Sequence, residues 1–169
     1  MASNPIRLYV IGDSISIHYG PYLEKFLSQK FIYDRKGKSV DPGDLDYVSN
    51  VNGGDSRNVL EYLQSTKPVF DTLLLNCGLH DIKTINSCKQ VPPEDYRCNL
   101  QNIIQTVHKM NRHVVWLNST PVNNERHNSL CTSFKRYNED ILYYNEIAAS
   151  VMTEHHVPII DLYEFTAKL

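Results

Sequence analysis

Ser14 is the residue whose position most directly suggests chemistry. It lies in the segment Gly12-Asp13-Ser14, which directly follows the apolar run Leu8–Ile11. If that run is the first strand of a doubly wound α/β fold, its carboxyl end borders the crevice in which ligands bind. A serine hydroxyl placed there becomes a nucleophile when another group activates it. The same residues also favour tight turns and helix starts, so the motif alone leaves both interpretations open.

Two further loops carry residues suited to binding an oxyanion. The segment Asn52-Gly53-Gly54-Asp55-Ser56 follows a second predicted strand, and Asn76-Cys77-Gly78-Leu79-His80-Asp81 follows a third. Acyl transfer requires hydrogen-bond donors aimed at the oxygen that becomes negative, and a glycine N–H allows close approach. Taken separately, Gly53-Gly54 is a turn before a helix cap, and His80 is an ordinary loop histidine. At three successive strand ends, the combination favours a catalytic site.

These loops need strands to position them, and the sequence supplies five short apolar runs between longer segments with helical spacing. This alternation is typical of βαβ units and a parallel sheet. The continuous apolarity of Leu73-Leu74-Leu75, Val114-Val115-Trp116-Leu117 and Ile159-Ile160 predicts strands buried on both faces. The five predicted strands are Leu8–Ile11, Tyr47–Val51, Thr72–Leu75, His113–Asn118 and Val157–Leu162.

Four amphipathic helices are predicted between the strands, and right-handed crossovers would place them on both faces of the sheet. They are Tyr19–Phe31, Ser56–Leu63, a helix opened by Pro92-Pro93-Glu94, and one from about Ser133 to His155. The predicted class is therefore α/β, a three-layer α/β/α, flavodoxin-like fold with a five-stranded parallel sheet. Asp34–Asp46 and Pro121–Thr132 are predicted as loops, the second either shaping the substrate site beside Ser14 or merely solvated.

The carboxyl-terminal segment predicts an incomplete layer. Tyr163–Leu169 is typical of a helix cut short, too brief to cover the surface beside the last strand. We therefore expect one domain over residues 1–169 that is incomplete at its carboxyl terminus. An uncovered apolar face is a liability in a monomer and often marks an interface, so this form is expected either to self-associate through this face or to be unstable.

Composition narrows the class of protein. With 169 residues and 41% hydrophobic content, the chain is ordinary for one globular domain. A net charge of -2 gives no basic footprint for nucleic acid. No apolar stretch approaches the roughly 20 residues of a membrane span, and no leader pattern occurs. The four cysteines, in no C-x-x-C pair, indicate reduced thiols, a cytoplasmic location and no metal site.

The three loop motifs together resemble those of the SGNH, or GDSL, family of serine hydrolases. The resemblance runs from the first strand through the fifth, and it implies that Ser14 is the nucleophile and that Gly54 donates its N–H to the oxyanion. It also implies that His80 stands where the family has an asparagine whose side-chain amide is an oxyanion donor. A neutral imidazole has one N–H and one bare nitrogen, so His80 can replace that donor only in the correct tautomer.

The chain departs from the family at its end. The resemblance implies an Asp-x-x-His block whose histidine is the catalytic base, but Leu162–Leu169 contains no histidine. His155 and His156 precede the last strand, which predicts that they lie at the opposite, amino end of the sheet. We therefore expect that the natural chain continues beyond Leu169 with a histidine-bearing loop and a closing helix. The 169-residue form alone is then expected to be inactive.

Three functions remain in competition at this point. The first is a serine ester hydrolase without metal or organic cofactor, acting on a small-molecule carbohydrate or lipid ester through an acyl-serine intermediate. The second is a non-catalytic binding module that has lost its catalytic histidine. The third, a flavodoxin-like nucleotide or flavin binder, rests on fold analogy alone, since Gly12–Ser16 offers only one glycine to cradle a phosphate.

Overall fold

Five parallel strands form the centre of the molecule. The computed structural model describes residues 5–37 and 51–169. The strands of the sheet are β1 (Ile6–Ile11), β2 (Phe31–Arg35), β3 (Thr72–Leu75), β6 (His113–Leu117) and β7 (Ile159–Ile160), and their order is β2-β1-β3-β6-β7. A short antiparallel hairpin, β4 (Thr84–Ile85) with β5 (Cys88–Lys89), follows β3. This order is the flavodoxin-like one, and the predicted fold class is confirmed.

Helices cover both faces of the sheet. The helices of the described residues are α1 (Ser14–Leu27), α2 (Ser56–Thr66), α3 (Pro93–Lys109), α4 (Asn124–Leu130), α5 (Asn138–Glu154) and α6 (Leu162–Thr166).

Alternation along β1 explains how one strand serves two layers. Successive side chains of a strand point to opposite faces. Tyr9 and Ile11 accordingly join the larger buried cluster with residues of α2, α3 and α5. Leu8 and Val10 join a smaller cluster against α1. The strand is therefore apolar at every buried position, as a strand covered on both faces must be.

Among the described residues, the second strand along the chain is β2, which was not predicted; the predicted strand was Tyr47–Val51. Residues 47–50 lie outside the described residues, and Val51 belongs to no strand. The sequence analysis assigned Phe31 to the preceding helix, which ends at Leu27, and it assigned Asp34 and Arg35 to a loop. As an edge strand β2 pairs only with β1, and its burial is partial, so it lacks the apolar run that identified the others.

Two other predictions were wrong. Ile159 and Ile160 of β7 are 37% and 50% exposed rather than buried on both faces, because β7 is the other edge of the sheet. The predicted loop Pro121–Thr132 contains α4, which has no buried residue and therefore no apolar stripe to reveal it. The segment after β7 contains the short helix α6, and its Phe165 is 67% exposed. Self-association through this face stays a prediction.

Candidate active site

Ser14 is the first residue of α1, immediately beyond the carboxyl end of β1. Asp13 caps the helix, and its Oδ1 accepts the Ile15 N–H at 2.9 Å while its carbonyl oxygen accepts the Ser16 N–H at 3.0 Å. The Ser14 N–H precedes the hydrogen bonds of the helix interior and lies at the positive end of the helix dipole. Ser14 is thus held at a position that stabilises negative charge.

Gly12 allows the turn before Ser14 to pack closely. A Cβ atom at this position would lie 2.7 Å from the Cβ of Ser16, closer than real contacts permit. The Gly12 carbonyl oxygen accepts the N–H of Gly53 at 2.8 Å, and a Cβ at Gly53 would lie 3.1 Å from that oxygen. These contacts join the first predicted site loop directly to the second.

Gly54 adopts a positive φ of 73°, a conformation that glycine tolerates best. Its N–H donates to the side-chain Oδ1 of buried Asn52 at 2.8 Å. An oxyanion would therefore share this N–H with Asn52 or displace the asparagine oxygen. The role of Gly54 as an oxyanion donor stays a prediction.

His80 is buried, with 1% of its surface exposed, and it lies against the second loop. Its Nε2 is 3.4 Å from the Nδ2 of Asn52. The structure thus joins the loops of Gly54 and His80 through one asparagine side chain, and it joins the Gly54 loop to the turn that precedes Ser14. Whether His80 faces the Ser14 hydroxyl stays a prediction.

Two buried carboxyl side chains hold the second and third loops at the start of α2. The Oδ1 of Asp81 accepts the Ser56 N–H at 2.9 Å, and the Oδ1 of Asp55 accepts the N–H groups of Arg57 and Asn58. Burial raises the pKa of Asp81 to about 7, although hydrogen bonds from Ser56 oppose this. Burial also disfavours the charged form of Asp55, but hydrogen bonds led by that of Arg57 outweigh it and lower its pKa.

Side chains from distant elements fix the backbone around the third loop. Arg136 donates from Nε to the carbonyl oxygen of Leu79 at 2.7 Å. Asn76 donates to the carbonyl oxygen of Leu117 at 2.9 Å and so ties the end of β3 to that of β6. Asn145 of α5 bonds both the N–H and the carbonyl oxygen of Ser119, each at 3.0 Å. Side-chain hydrogen bonds therefore hold the backbone along the carboxyl edge of the sheet.

The sequence analysis gave no role to Asn52 or Asp81. Both residues stood in the quoted loop segments, and their signal was their position beside Gly53-Gly54 and His80. Their partners lie 28 and 25 residues away in the chain, a separation that a local motif does not reveal. Asn52 and Asp81 become recognisable only once the sheet brings the loops together.

Two pockets border this edge within the part of the chain that the structure describes. A narrow slot lies beside the start of α1, lined by Ile15, Tyr19, Asn76, Leu117, Asn118, Thr120 and Leu162. A cavity of about 630 Å³ opens around α4, lined by residues that include Arg126, His127, Leu130 and Phe134. The role of the α4 segment in shaping the substrate site stays a prediction.

His156 does not join this edge. It lines a surface pocket with His113, the first residue of β6, and with His108. Because the sheet is parallel, this pocket lies at the amino edge, opposite Ser14. The expected placement of His156 at the amino end of the sheet is confirmed.

Within residues 5–37 and 51–169, no three histidine, cysteine or acidic side chains cluster in the way a metal ion would require. In the same part of the chain, the longest helices are too short and too polar to cross a bilayer.

A parallel α/β sheet with Ser14 at the end of β1, the Gly53-Gly54 loop before α2 and the His80 loop after β3 defines a protein of the SGNH hydrolase fold. The sequence matches the GDSL-like lipase/acylhydrolase family over residues 10–168. This chain therefore belongs to that family, and the resemblance found in its motifs is confirmed. Among curated proteins, no sequence matches significantly.

Solved structures show the same fold at low sequence identity. The acetyl xylan esterase AlAXEase is 16% identical, with a TM-score of 0.72, covering 96% of this chain and 80% of its own. A lipase/acylhydrolase from Enterococcus faecalis is 16% identical, with a TM-score of 0.70 and coverages of 97% and 80%. Axe2-W215I, an acetyl xylan esterase from Geobacillus stearothermophilus, is 11% identical, with a TM-score of 0.69 and coverages of 96% and 79%.

Proposed function

We propose that this protein is a serine ester hydrolase with Ser14 as its nucleophile. The observation that carries the proposal is the position of Ser14 as the first residue of α1, capped by Asp13 and joined through Gly12 to the Gly53-Gly54 loop. Membership of an acylhydrolase family supports the same chemistry.

The proposed reaction has two stages. The Ser14 Oγ attacks the acyl carbonyl and forms a tetrahedral intermediate whose oxyanion accepts hydrogen bonds from the Ser14 and Gly54 N–H groups and from His80. The alcohol then leaves, and water hydrolyses the acyl-serine. A base must take the Ser14 proton, and the family resemblance gives that role to a histidine of an Asp-x-x-His block.

Small acyl esters of carbohydrates are the first substrates to test. Two of the structural neighbours described above are named acetyl xylan esterases, and the slot beside Ile15 is narrow. Lipid esters remain the second class. Neither class requires a metal ion or an organic cofactor.

A fluorophosphonate probe tests the nucleophile on the full-length gene product. Ser14→Ala should abolish labelling and turnover of an aryl acetate while the circular dichroism spectrum is retained. Ser119→Ala is the matched control, because Ser119 lies at the same edge and its buried Oγ has no hydrogen bond among the described residues. This variant should keep its label. Labelling of the Ser14→Ala protein, or an unlabelled and inactive wild type, would contradict the proposal, and the second result would favour a binding module.

A further inference from the structure

Asn52 holds two of the proposed oxyanion donors at once. Its Oδ1 accepts the Gly54 N–H at 2.8 Å, and its Nδ2 lies 3.4 Å from the Nε2 of His80. The side chain is fully buried, so its amide must hydrogen-bond within the protein and its orientation matters.

The orientation of the amide follows from the Gly54 contact. A backbone N–H can only donate a hydrogen bond, so the amide atom that faces Gly54 must be the oxygen. The NH₂ group of Asn52 therefore faces His80. An amide nitrogen donates and does not accept, so the Nε2 of His80 must be the acceptor.

The protonation of His80 follows in turn. A nitrogen that accepts a hydrogen bond carries no proton, so the ring is neutral. A neutral imidazole with a bare Nε2 carries its single proton on Nδ1. We propose that Asn52 is a positioning residue that selects the Nδ1–H tautomer of His80 and thereby makes His80 an oxyanion donor. This inference rests on the proposed function for its catalytic meaning, but the tautomer itself does not.

The same contact argues against His80 as the base that activates Ser14. A general base must offer a bare nitrogen to the reacting proton. The bare nitrogen of His80 already accepts from Asn52, and the other carries a proton. His80 is thus set to donate to the substrate oxygen.

Asn52→Asp isolates the contact with His80. A carboxylate oxygen can still accept the Gly54 N–H, but the second oxygen now requires a donor at Nε2. The variant should place a proton on Nε2. Asn118→Asp is the control for added charge, since Asn118 lies at the same edge and its Oδ1 accepts from the Trp116 indole, a role that aspartate retains.

Long-range ¹H–¹⁵N correlation spectra of the ¹⁵N-histidine-labelled full chain report the tautomer directly. His80 is assigned by the signal lost in His80→Asn. The wild type and Asn118→Asp should show a pyridine-like Nε2 and a pyrrole-like Nδ1, whereas Asn52→Asp should show a protonated Nε2. A protonated Nε2 in the wild type, or an unchanged tautomer in folded Asn52→Asp, would overturn the proposal.

Kinetics on an acetyl ester separate positioning from structure. Asn52→Asp should lower kcat about 10²-fold with little change in KM, the cost of losing one oxyanion donor. In a His80→Ala background the same substitution should cause no further loss. A further loss of similar size in kcat would show that Asn52 does not act through His80, and it would overturn the proposal. If Ser14 is not labelled but His80 is the Nδ1–H tautomer, the proposed function fails and this inference stands. If Ser14 is labelled but His80 is the other tautomer, this inference fails and the proposed function stands.

Discussion

The immediate neighbours of Ser14 fix its position at the start of α1. Gly12 has no side chain because Ser16 occupies the space, and Asp13 satisfies two N–H groups of the first turn of α1. The Gly-Asp-Ser segment therefore forms a turn and a helix cap, and it also holds Ser14, the proposed nucleophile, at the start of α1. The structural and the catalytic interpretations of the motif describe the same geometry.

Gly12→Ala tests how tightly this turn is packed. The new Cβ would lie 2.7 Å from the Ser16 Cβ, a backbone-proximal atom that cannot move away alone. We expect a loss of about 1–3 kcal/mol in the free energy of unfolding, as for overpacking elsewhere, and slower fluorophosphonate labelling of Ser14. Urea denaturation and labelling rates measure the two effects.

Gly20→Ala is the matched control within the same helix. Its Cβ would approach the Tyr33 hydroxyl at 2.8 Å and the Arg35 Nη1 at 2.9 Å, both ends of long side chains that can shift. Alanine also favours the helix by up to about 1 kcal/mol. Its stability should stay near that of the wild type. A Gly12→Ala protein as stable as Gly20→Ala would contradict the assignment of a packed turn.

His80→Ala should lower kcat far more than it raises KM, because an oxyanion donor acts mainly in the transition state. The expected loss is about 10²–10³-fold in kcat. His80→Asn should recover much of it, since an amide donor would return. Steady-state kinetics on an acetyl ester provide the comparison, and an equal rise in KM for His80→Ala would speak for a binding role instead.

At the scale of elements, the sequence was most informative where strands are central. β1, β3 and β6 are covered on both faces, and their continuous apolar runs identified them to within two residues. The edge strands β2 and β7 pair on one side only, so mixed polarity suffices in β2 and isoleucines remain exposed in β7. Central strands are thus encoded locally, whereas edge strands depend on what the rest of the fold leaves uncovered.

The loops that contain Gly54 and His80 meet at the start of α2. Asp55 and Asn58 form a reciprocal capping box, and Arg57 bonds the same aspartate. Asp55→Ala removes the side-chain acceptors, and we expect it to cost about 1–2 kcal/mol in the free energy of unfolding. Asn123→Ala removes the single cap bond of the short, exposed α4 and should cost less. Equal losses in the free energy of unfolding, measured by urea denaturation, would show that the capping box of α2 stabilises the protein no more than the cap of α4.

The candidate site exists only at the scale of the whole molecule. The sequence predicted Ser14, Gly54 and His80 at three successive strand ends. Ser14 does follow β1 and His80 follows β3, whereas Gly54 lies in the loop before α2 and not directly after β2. The sequence analysis gave no role to Asn52 or Asp81 and did not foresee that Arg136 would hold the backbone at Leu79. Those contacts join residues 25 to 57 positions apart, so no local pattern encodes them.

Asp81 links this site to global stability through pH. Its buried carboxyl joins the loop after β3 to the start of α2, and burial raises its pKa from 3.8 to about 7. Below pH 4 the carboxyl is protonated in both folded and unfolded chains. Between pH 4 and 7 the unfolded chain ionises while the folded one stays protonated, so the Asp81 contribution to stability falls as pH rises and is lost above about pH 7.

Asp81→Asn removes this titration and keeps an oxygen to accept the Ser56 N–H. The difference in the free energy of unfolding between wild type and variant should favour the wild type most near pH 4. It should then decline by up to about 4 kcal/mol by pH 7, the equivalent of about three pKa units. Urea denaturation at steps of pH measures this difference. Asn123→Ala is the control, because it removes no titrating group, and its difference from the wild type should not vary with pH. A difference for Asp81→Asn that is flat, or that grows toward pH 7, would mean that Asp81 is ionised in the folded protein and that the α2 dipole outweighs its burial.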